Sequence, residues 1–494
     1  MIKFPRLISF ILSILILATT LLGCETEVGG SNVSYETEAA QTATQDYIDS
    51  LTGIERIIYE RSLVMDKVPK LDFDGETFAV IIPENSINDW RPEDMTSDQL
   101  SSSIYMNCEY VEGRIGCKLI FSDEANDEEI KDLVATGDDT YSVVVQSYNK
   151  IGQLAMDNRL RDWETIPYMN LDAPWWNQSA REAVSVLGKT YMMVGASCVQ
   201  EVKVTYCVYY NKTLAEQYKS ELPNLYNLVY KGQWTLDKFI EVSRIGYVDL
   251  NGNTRKDPND QFGLAGQTTS YAVPFLYSCG EMTTQRDSDG IPYIHMNNEK
   301  VVSIVEKVYS LIYENKATWP TRDWSTHSDI FADGRALFMY GTFGHALGGY
   351  FDTMEDTYGF LPYPKYDELQ NDYYTITDPS GSTFGILLHC PNDELLGAVM
   401  EIYNNRAWQQ VQPALYDAAL KGRSADAPED GDMLDIINRG VVYDFGYVYG
   451  GPGELLSKMM THKTKDYASQ YAQRIRGWEN NINTAVDSII NSEW

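Results

Sequence analysis

An α/β fold built on parallel strand–helix–strand units is predicted for this chain from three observations. Between residues 78 and 146 short apolar runs alternate with helical patterns, and parallel strands need such intervening helices. Beyond the N-terminus no stretch is apolar and long enough to span a bilayer. The remaining length, about 470 residues, suits two or three domains or two lobes of one larger fold.

The elements follow in order. Apolar residues at helical spacing (Ile48, Leu51, Ile54, Ile57, Ile58) predict a helix over 47–64. The first strand is 78–82, ended by Pro83. A helix over 97–110, a strand over 118–121, a helix over 123–133 and a buried strand over 141–146 complete two units. Acidic residues crowd the first turn of the second helix, where the helix dipole favours them. Ligands of open α/β sheets sit beyond the carboxyl ends of the strands. The loops after Ile82 and Gln146 are therefore candidate binding walls, and they carry Trp90 and Tyr148. Further on, strands are predicted over 203–210, 335–340 and 384–389. Helices are predicted from near Leu214 and over 234–245 with Thr235 as cap, 299–316, 391–405, 408–419 and 467–490.

The formal charge of −32 becomes −34 once Lys3 and Arg6 leave with the leader described below. Nucleic acid is excluded as a partner, because phosphate neutralisation needs a basic surface. Enzyme motifs are missing too. The five histidines (His295, His327, His345, His389, His462) match no HExxH pattern, and there is no GxSxG elbow or phosphate loop. Acidic pairs are too numerous for counting to single out a glycosidase pair.

The N-terminus is informative. Lys3 and Arg6 precede an apolar run from Leu7 to Leu22, short for a spanning helix, which ends in Leu21-Leu22-Gly23-Cys24. This resembles the lipobox of bacterial lipoproteins, with Leu22 bulkier than the usual small residue. The resemblance implies cleavage before Cys24, acylation of its sulfur and residence on the outer face of a bacterial membrane. Residues 25–44, rich in Glu, Ser, Thr and Gly, read as a solvated tether. Six cysteines follow (Cys108, Cys117, Cys198, Cys207, Cys279, Cys390), without metal spacing. An exported chain permits disulfides, and Cys108 with Cys117 is the first pair to test.

From residue 203 onward a second resemblance emerges. The runs Tyr209-Tyr210-Asn211-Lys212-Thr213-Leu214, Leu222-Pro223-Asn224-Leu225-Tyr226 and Gln233-Trp234-Thr235-Leu236-Asp237-Lys238-Phe239 resemble the extracellular solute-binding proteins of ABC importers, sugar-binding family 1. Asp172-Ala173-Pro174-Trp175-Trp176-Asn177-Gln178, Gly188-Lys189-Thr190-Tyr191, Phe331 to Phe338, and Leu361 to Asp367 with Gln370 agree with that family in order, Asn177 standing where it usually has Asp. The likeness covers roughly residues 70 to 460. It implies a class II periplasmic-binding-protein-like fold, two α/β lobes joined by a hinge near Val204 to Tyr209 and Pro362 to Tyr374. The expected organisation is a leader over 1–23, a tether over 24–44 and a binding domain over 45–494, with lobe one about 70–205 plus 380–425 and lobe two about 206–379 plus 426–494. The implied role is a monomeric, lipid-anchored binding subunit that delivers a carbohydrate, an oligosaccharide by preference, to ABC permease subunits. Alternatives are a glycan-sensing lipoprotein without an importer and an exported glycoside hydrolase.

Sugar recognition needs flat apolar faces for ring C–H groups and polar side chains for hydroxyls. The 35 Tyr and 10 Trp supply the former. The candidates are Trp175 and Trp176, the strand-end residues Trp90 and Tyr148, Tyr340 and Phe343, and Trp319 and Trp324, which flank Arg322 and Asp323. No cofactor is expected, apart from a structural calcium ion at Asp249, Asn251, Asn253, Asp257 and Asp260. These oxygens occupy the first, third, fifth, ninth and twelfth positions of a calcium-loop spacing. Thr254 stands where such loops have Gly, and Asp260 where they have Glu; the competing reading is an Asx-rich turn before a strand over 261–264.

Overall fold

The computed structural model describes residues 48–51, 53–95, 98–416 and 428–493. Cys24, the leader and the tether lie outside them. Contacts divide the chain into Met1–Arg56 and Ile57–Trp494. Of the first unit, 48–50 and the residues from Gly53 are helical. The second unit holds the sheets.

The first sheet comprises β1 (Thr77–Ile81), β2 (Lys118–Ser122), β3 (Val143–Gln146), β4 (Leu160–Arg161) and β12 (Thr383–Leu387), in the order β2-β1-β3-β12-β4. β1 runs parallel to β2 and β3, with helices Gln99–Ile115 and Asp127–Thr136 as crossovers. The second of these starts four residues later than predicted. Asn126 and Glu129 form a capping box there, so the acidic run from Asp123 lies partly outside the helix. β12 enters antiparallel to both β3 and β4.

The second sheet has the order β11-β5-β10-β6-β9, from β5 (Tyr206–Asn211), β6 (Phe262–Gln267), β9 (Thr318–Thr321), β10 (Ala336–Thr342) and β11 (Tyr358–Leu361). β6 is parallel to β9 and β10, and β5 is antiparallel to β10 and β11. A hairpin, β7 (Thr284–Arg286) with β8 (Pro292–Ile294), projects from this half. Each sheet thus contains one antiparallel strand, β12 or β5, that arrives directly from the other half. This exchange makes two α/β lobes of the class II periplasmic-binding-protein type.

The predicted strand over 203–210 is interrupted by a crossing. Val199–Lys203 is helical, Val204 and Thr205 pass between the lobes, and β5 begins at Tyr206. A second crossing runs beside it: Thr205 bridges Thr377, and the Asp378 N–H donates to the Val204 carbonyl at 3.0 Å. The third crossing among the described residues, unforeseen in the sequence, pairs Thr375 with Val441. The second crossing thus directly follows the segment 362–374. The C-terminal helix Tyr467–Asn491 packs on the lobe-one helix Tyr148–Met156 and on β8. All six cysteines among the described residues are unpaired, including Cys108 and Cys117.

Candidate ligand-binding cleft

The carboxyl ends of β1, β3 and β6 face one cavity of about 530 Å³ between the lobes. Lobe one supplies Pro83, just past β1, and Gln146, Ser147, Asn149 and Lys150 at the end of β3. Lobe two supplies Ser270 and Val273, just past β6. The second crossing contributes Asp378, Pro379 and Ser380, and the C-terminal segment contributes Tyr447, Glu454, Ser457 and Lys458. Strand-end geometry selects these positions. Residues that leave a sheet at its carboxyl edge are released from ladder hydrogen bonds and can face a ligand.

The lysines of this cavity are already paired, and its carboxylates are already hydrogen-bonded or paired. Lys458 pairs with Glu454 at 3.1 Å, and Lys150 pairs with Asp127 at 2.8 Å. Asp378 receives the Tyr206 hydroxyl at 2.5 Å on one oxygen, and the Ser380 N–H and hydroxyl at 3.0 and 2.7 Å on the other. What remains is a wall of amides and hydroxyls: Gln146, Ser147, Asn149, Ser270 and Ser457.

Beneath it, Glu201 is buried at the hinge. Its Oε1 accepts from the hydroxyls of Tyr148 and, at 2.7 Å, Tyr443. Tyr148 also meets the Thr377 hydroxyl at 2.6 Å. Burial pushes the Glu201 carboxyl up to about 8, against the Tyr443 and Thr377 hydroxyls, which favour its ionised form, and the nearby Asp378 charge adds to the rise. Gly381 leaves room for this side chain, since a Cβ there would lie 2.1 Å from Glu201 Oε2. One residue from each of the second and third crossings (Thr377, Tyr443), one from lobe one (Tyr148) and one from the helix before the first crossing (Glu201) thus meet in a single network.

The model of the bacterial extracellular solute-binding protein family matches residues 119–421. The chain belongs to that family. No curated protein sequence matches it significantly. Among solved structures, a cyclo/maltodextrin-binding protein complexed with maltotetraose superposes with a TM-score of 0.54 at 15% identity, over 84% of this chain and 97% of that one. An ABC substrate-binding protein of Listeria monocytogenes in complex with cycloalternan gives 0.51 at 13% identity, over 83% and 98%. At this identity the likeness establishes the two-lobed fold. Membership makes this a binding protein that works outside the cytoplasm, and no described helix is long and apolar enough to cross a membrane.

The cleft of this solute-binding protein is not lined by most of the aromatic residues that the sequence suggested. Trp90 is buried between Phe121 and Phe384 in the core of lobe one. Trp175 and Trp176 are both inside as well. Trp176 donates to Glu401 at 3.0 Å and packs on Trp163, and Trp175 packs on Trp408. Tyr340 lies under β10 against Phe275, and Phe343 against Phe360. Trp319 is half-buried in β9 against Phe262. Tyr148 adjoins the cavity but is buried, its hydroxyl committed to the hinge network. Large aromatic surfaces are worth most when removed from water, and these seven went to the core or hinge.

Trp324 differs. It is 53% exposed, and its ring lies 5.4 Å from that of Tyr271, in the turn Ser270–Ala272 that forms the lobe-two wall. Beneath it lie His327 and His345, held neutral because burial lowers them to about 3 and about 4. Arg322 donates one guanidinium N–H to the Thr461 carbonyl.

Proposed function

We propose that this chain is the lipid-anchored substrate-binding subunit of an ABC importer and that it takes a neutral oligosaccharide in the cleft. The observation that carries this reading is the cavity's chemistry. Its two lysines are each paired with a carboxylate, and the remaining carboxylate, Asp378, is held by hydroxyl and N–H donors, so an anionic solute would find no unpaired lysine on the lining. Amides, hydroxyls and the Tyr447 side chain on the lining, with the exposed Trp324 ring against Tyr271 beside the lobe-two wall, suit a polyhydroxylated ring. The similar structures were found with maltotetraose and cycloalternan, which supports the same ligand class. Closure of the lobes about the three crossings would then present the loaded form to a permease. Acylation at Cys24 and the tether would keep the receptor within reach of that partner.

The test is a tryptophan-fluorescence and calorimetric titration of the soluble Cys24→Ser form against mono- and oligosaccharides, amino acids and peptides. Saturable binding of an oligosaccharide without product formation is expected. Sugar release would indicate a hydrolase, and tight binding of a charged amino acid or peptide would overturn the assignment. Membrane fractionation checks the anchor: wild type should sediment with membranes and Cys24→Ser should not.

A further inference from the structure

We propose that the loop from Asp249 to Asp260 is a calcium site that fastens the entry to β6. The loop joins the helix Leu236–Val242 to β6, at the end of that strand remote from the cleft. Its five oxygen-bearing positions carry three carboxylates and two amides, a hard-oxygen set suited to Ca²⁺.

The backbone already follows the required path. The Asp249 carboxylate takes the N–H groups of Gly252 and Thr254, each at 2.8 Å. The side-chain oxygens of Asn251 and Asn253 take the N–H groups of Asn253 and Arg255 at 3.0 and 2.7 Å. Thr254, which stands where such loops use glycine, adopts φ 61°. The sharp turn is made without the glycine, so that departure from the pattern is not an obstacle.

The independent observation is Asp260. It is completely buried, and its carboxylate is turned back into the loop, Oδ2 accepting the Asp257 N–H at 3.1 Å and the Tyr247 hydroxyl at 3.3 Å. Its Oδ1 is buried and has no hydrogen-bond partner. The nearest guanidinium does not supply one. Arg335 donates to the carbonyls of Pro258 and Asp260 and pairs with Asp333 at 2.7 Å. A buried carboxylate oxygen without a donor is unfavourable unless a cation meets it.

Among the described residues no three acidic, cysteine or histidine side chains form a ready ligand set. The reason lies at Asp257, whose carboxylate is held by the side-chain amides of Asn251 and Asn253, at 3.2 and 2.6 Å on Oδ2. These donors keep it ionised below its ordinary range. Calcium would replace them, drawing Asp257 and the amide oxygens to itself. With two neutral ligands the affinity belongs to the weak class of extracellular modules, Kd about 10⁻⁴–10⁻³ M.

The experiment uses the full exported chain, stripped with EDTA and titrated with Ca²⁺, Mg²⁺ or Tb³⁺ alone. Tyr247, bonded to Asp260, should sensitise Tb³⁺ luminescence. Ca²⁺ should displace that signal at millimolar concentration and raise Tm, while equimolar Mg²⁺ should do much less. Asp257→Asn should abolish both effects. If that variant does not fold, Asp249→Asn, an isosteric change at another half-buried ligand position, serves the same purpose. No Tb³⁺ signal and no rise in Tm for wild type up to about 10 mM Ca²⁺ would overturn the proposal, as would an undiminished response in a folded variant.

Discussion

Glu201 turns the hinge into a pH-dependent element. Its folded value is about 8 against an ordinary 4.5, so between these limits the folded chain holds a proton that the unfolded chain has released. Stability therefore falls as pH rises through that window. Glu201→Gln keeps the shape and an acceptor for Tyr148 and Tyr443 but removes the titration. Its Tm should hold between about pH 6 and 8, where wild type declines by several degrees, as scanning calorimetry can show. His327 and His345, lowered by burial, impose the opposite dependence below their ordinary 6.5, so between pH 6.5 and 4.5 the variant, lacking the Glu201 contribution, should lose stability more steeply than wild type. An equal alkaline decline in Glu201→Gln would refute this account. Trp324 makes a second residue-scale case. Being half out of water, Trp324→Ala should leave Tm within about 1 °C and weaken oligosaccharide binding by about tenfold, the worth of one stacked ring. An unchanged Kd would remove Trp324 from the site. Sequence could not rank Trp324 above Trp175 and Trp176. What buries Trp176 is Glu401, more than two hundred residues further along, and no local pattern reports that contact.

At the scale of elements much of the architecture is legible, because apolar runs report burial directly. β1, β3, β10 and β12 fall within a few residues of their predicted positions, as does the long C-terminal helix. The failures share a cause. The hairpin β7–β8 and the crossing at Val441 are short and weakly apolar, and tertiary partners hold them: Asp444 takes the Thr283 N–H at 2.6 Å and the Thr284 hydroxyl at 2.6 Å. The cleft wall was legible only as strand ends, since Gln146, Ser147 and Asn149 look like any polar loop. Helix Pro428–Arg439 illustrates how such an element is fixed. Its Asp430 is buried on β11 and meets both the Lys212 ammonium and the Tyr226 hydroxyl. Asp430→Ala would strand Lys212 beside an apolar surface. It should cost about 3–5 kcal/mol in chemical denaturation, whereas Asp432→Ala, on a position that bonds only the exposed Tyr230, should cost under about 1 kcal/mol. Equal losses would mean that the helix does not depend on the buried pair.

For the whole molecule the question is whether two lobes behave as one folding unit. Among the described residues three backbone crossings tie them together, and side chains add to the crossings. Arg286 of the hairpin donates to the carbonyls of Glu182, Ala183 and Ser185 at 2.9, 3.0 and 2.7 Å, closing the end of the lobe-one helix Gln178–Val184. The C-terminal helix does the same at larger scale. Tyr467 at its start bonds the Met296 carbonyl on the lobe-two side at 2.7 Å, and past its end Lys189 of lobe one holds the carbonyls of Ile490 and Ser492 at 3.1 and 2.6 Å. Between them Ile482, Ala485, Val486 and Ile489 are buried. A helix shared in this way couples the unfolding of either lobe to loss of its apolar contacts with both. The full chain should therefore melt in one calorimetric transition whose van't Hoff and calorimetric enthalpies agree, and saturating oligosaccharide should raise its midpoint. A chain ended after Lys465 loses the shared helix while retaining all three crossings. It should separate into two transitions, the first involving lobe one, whose helix Tyr148–Met156 is then uncovered. A single unsplit transition in the truncated chain would show that the crossings alone carry the coupling and that the helix is only a cover.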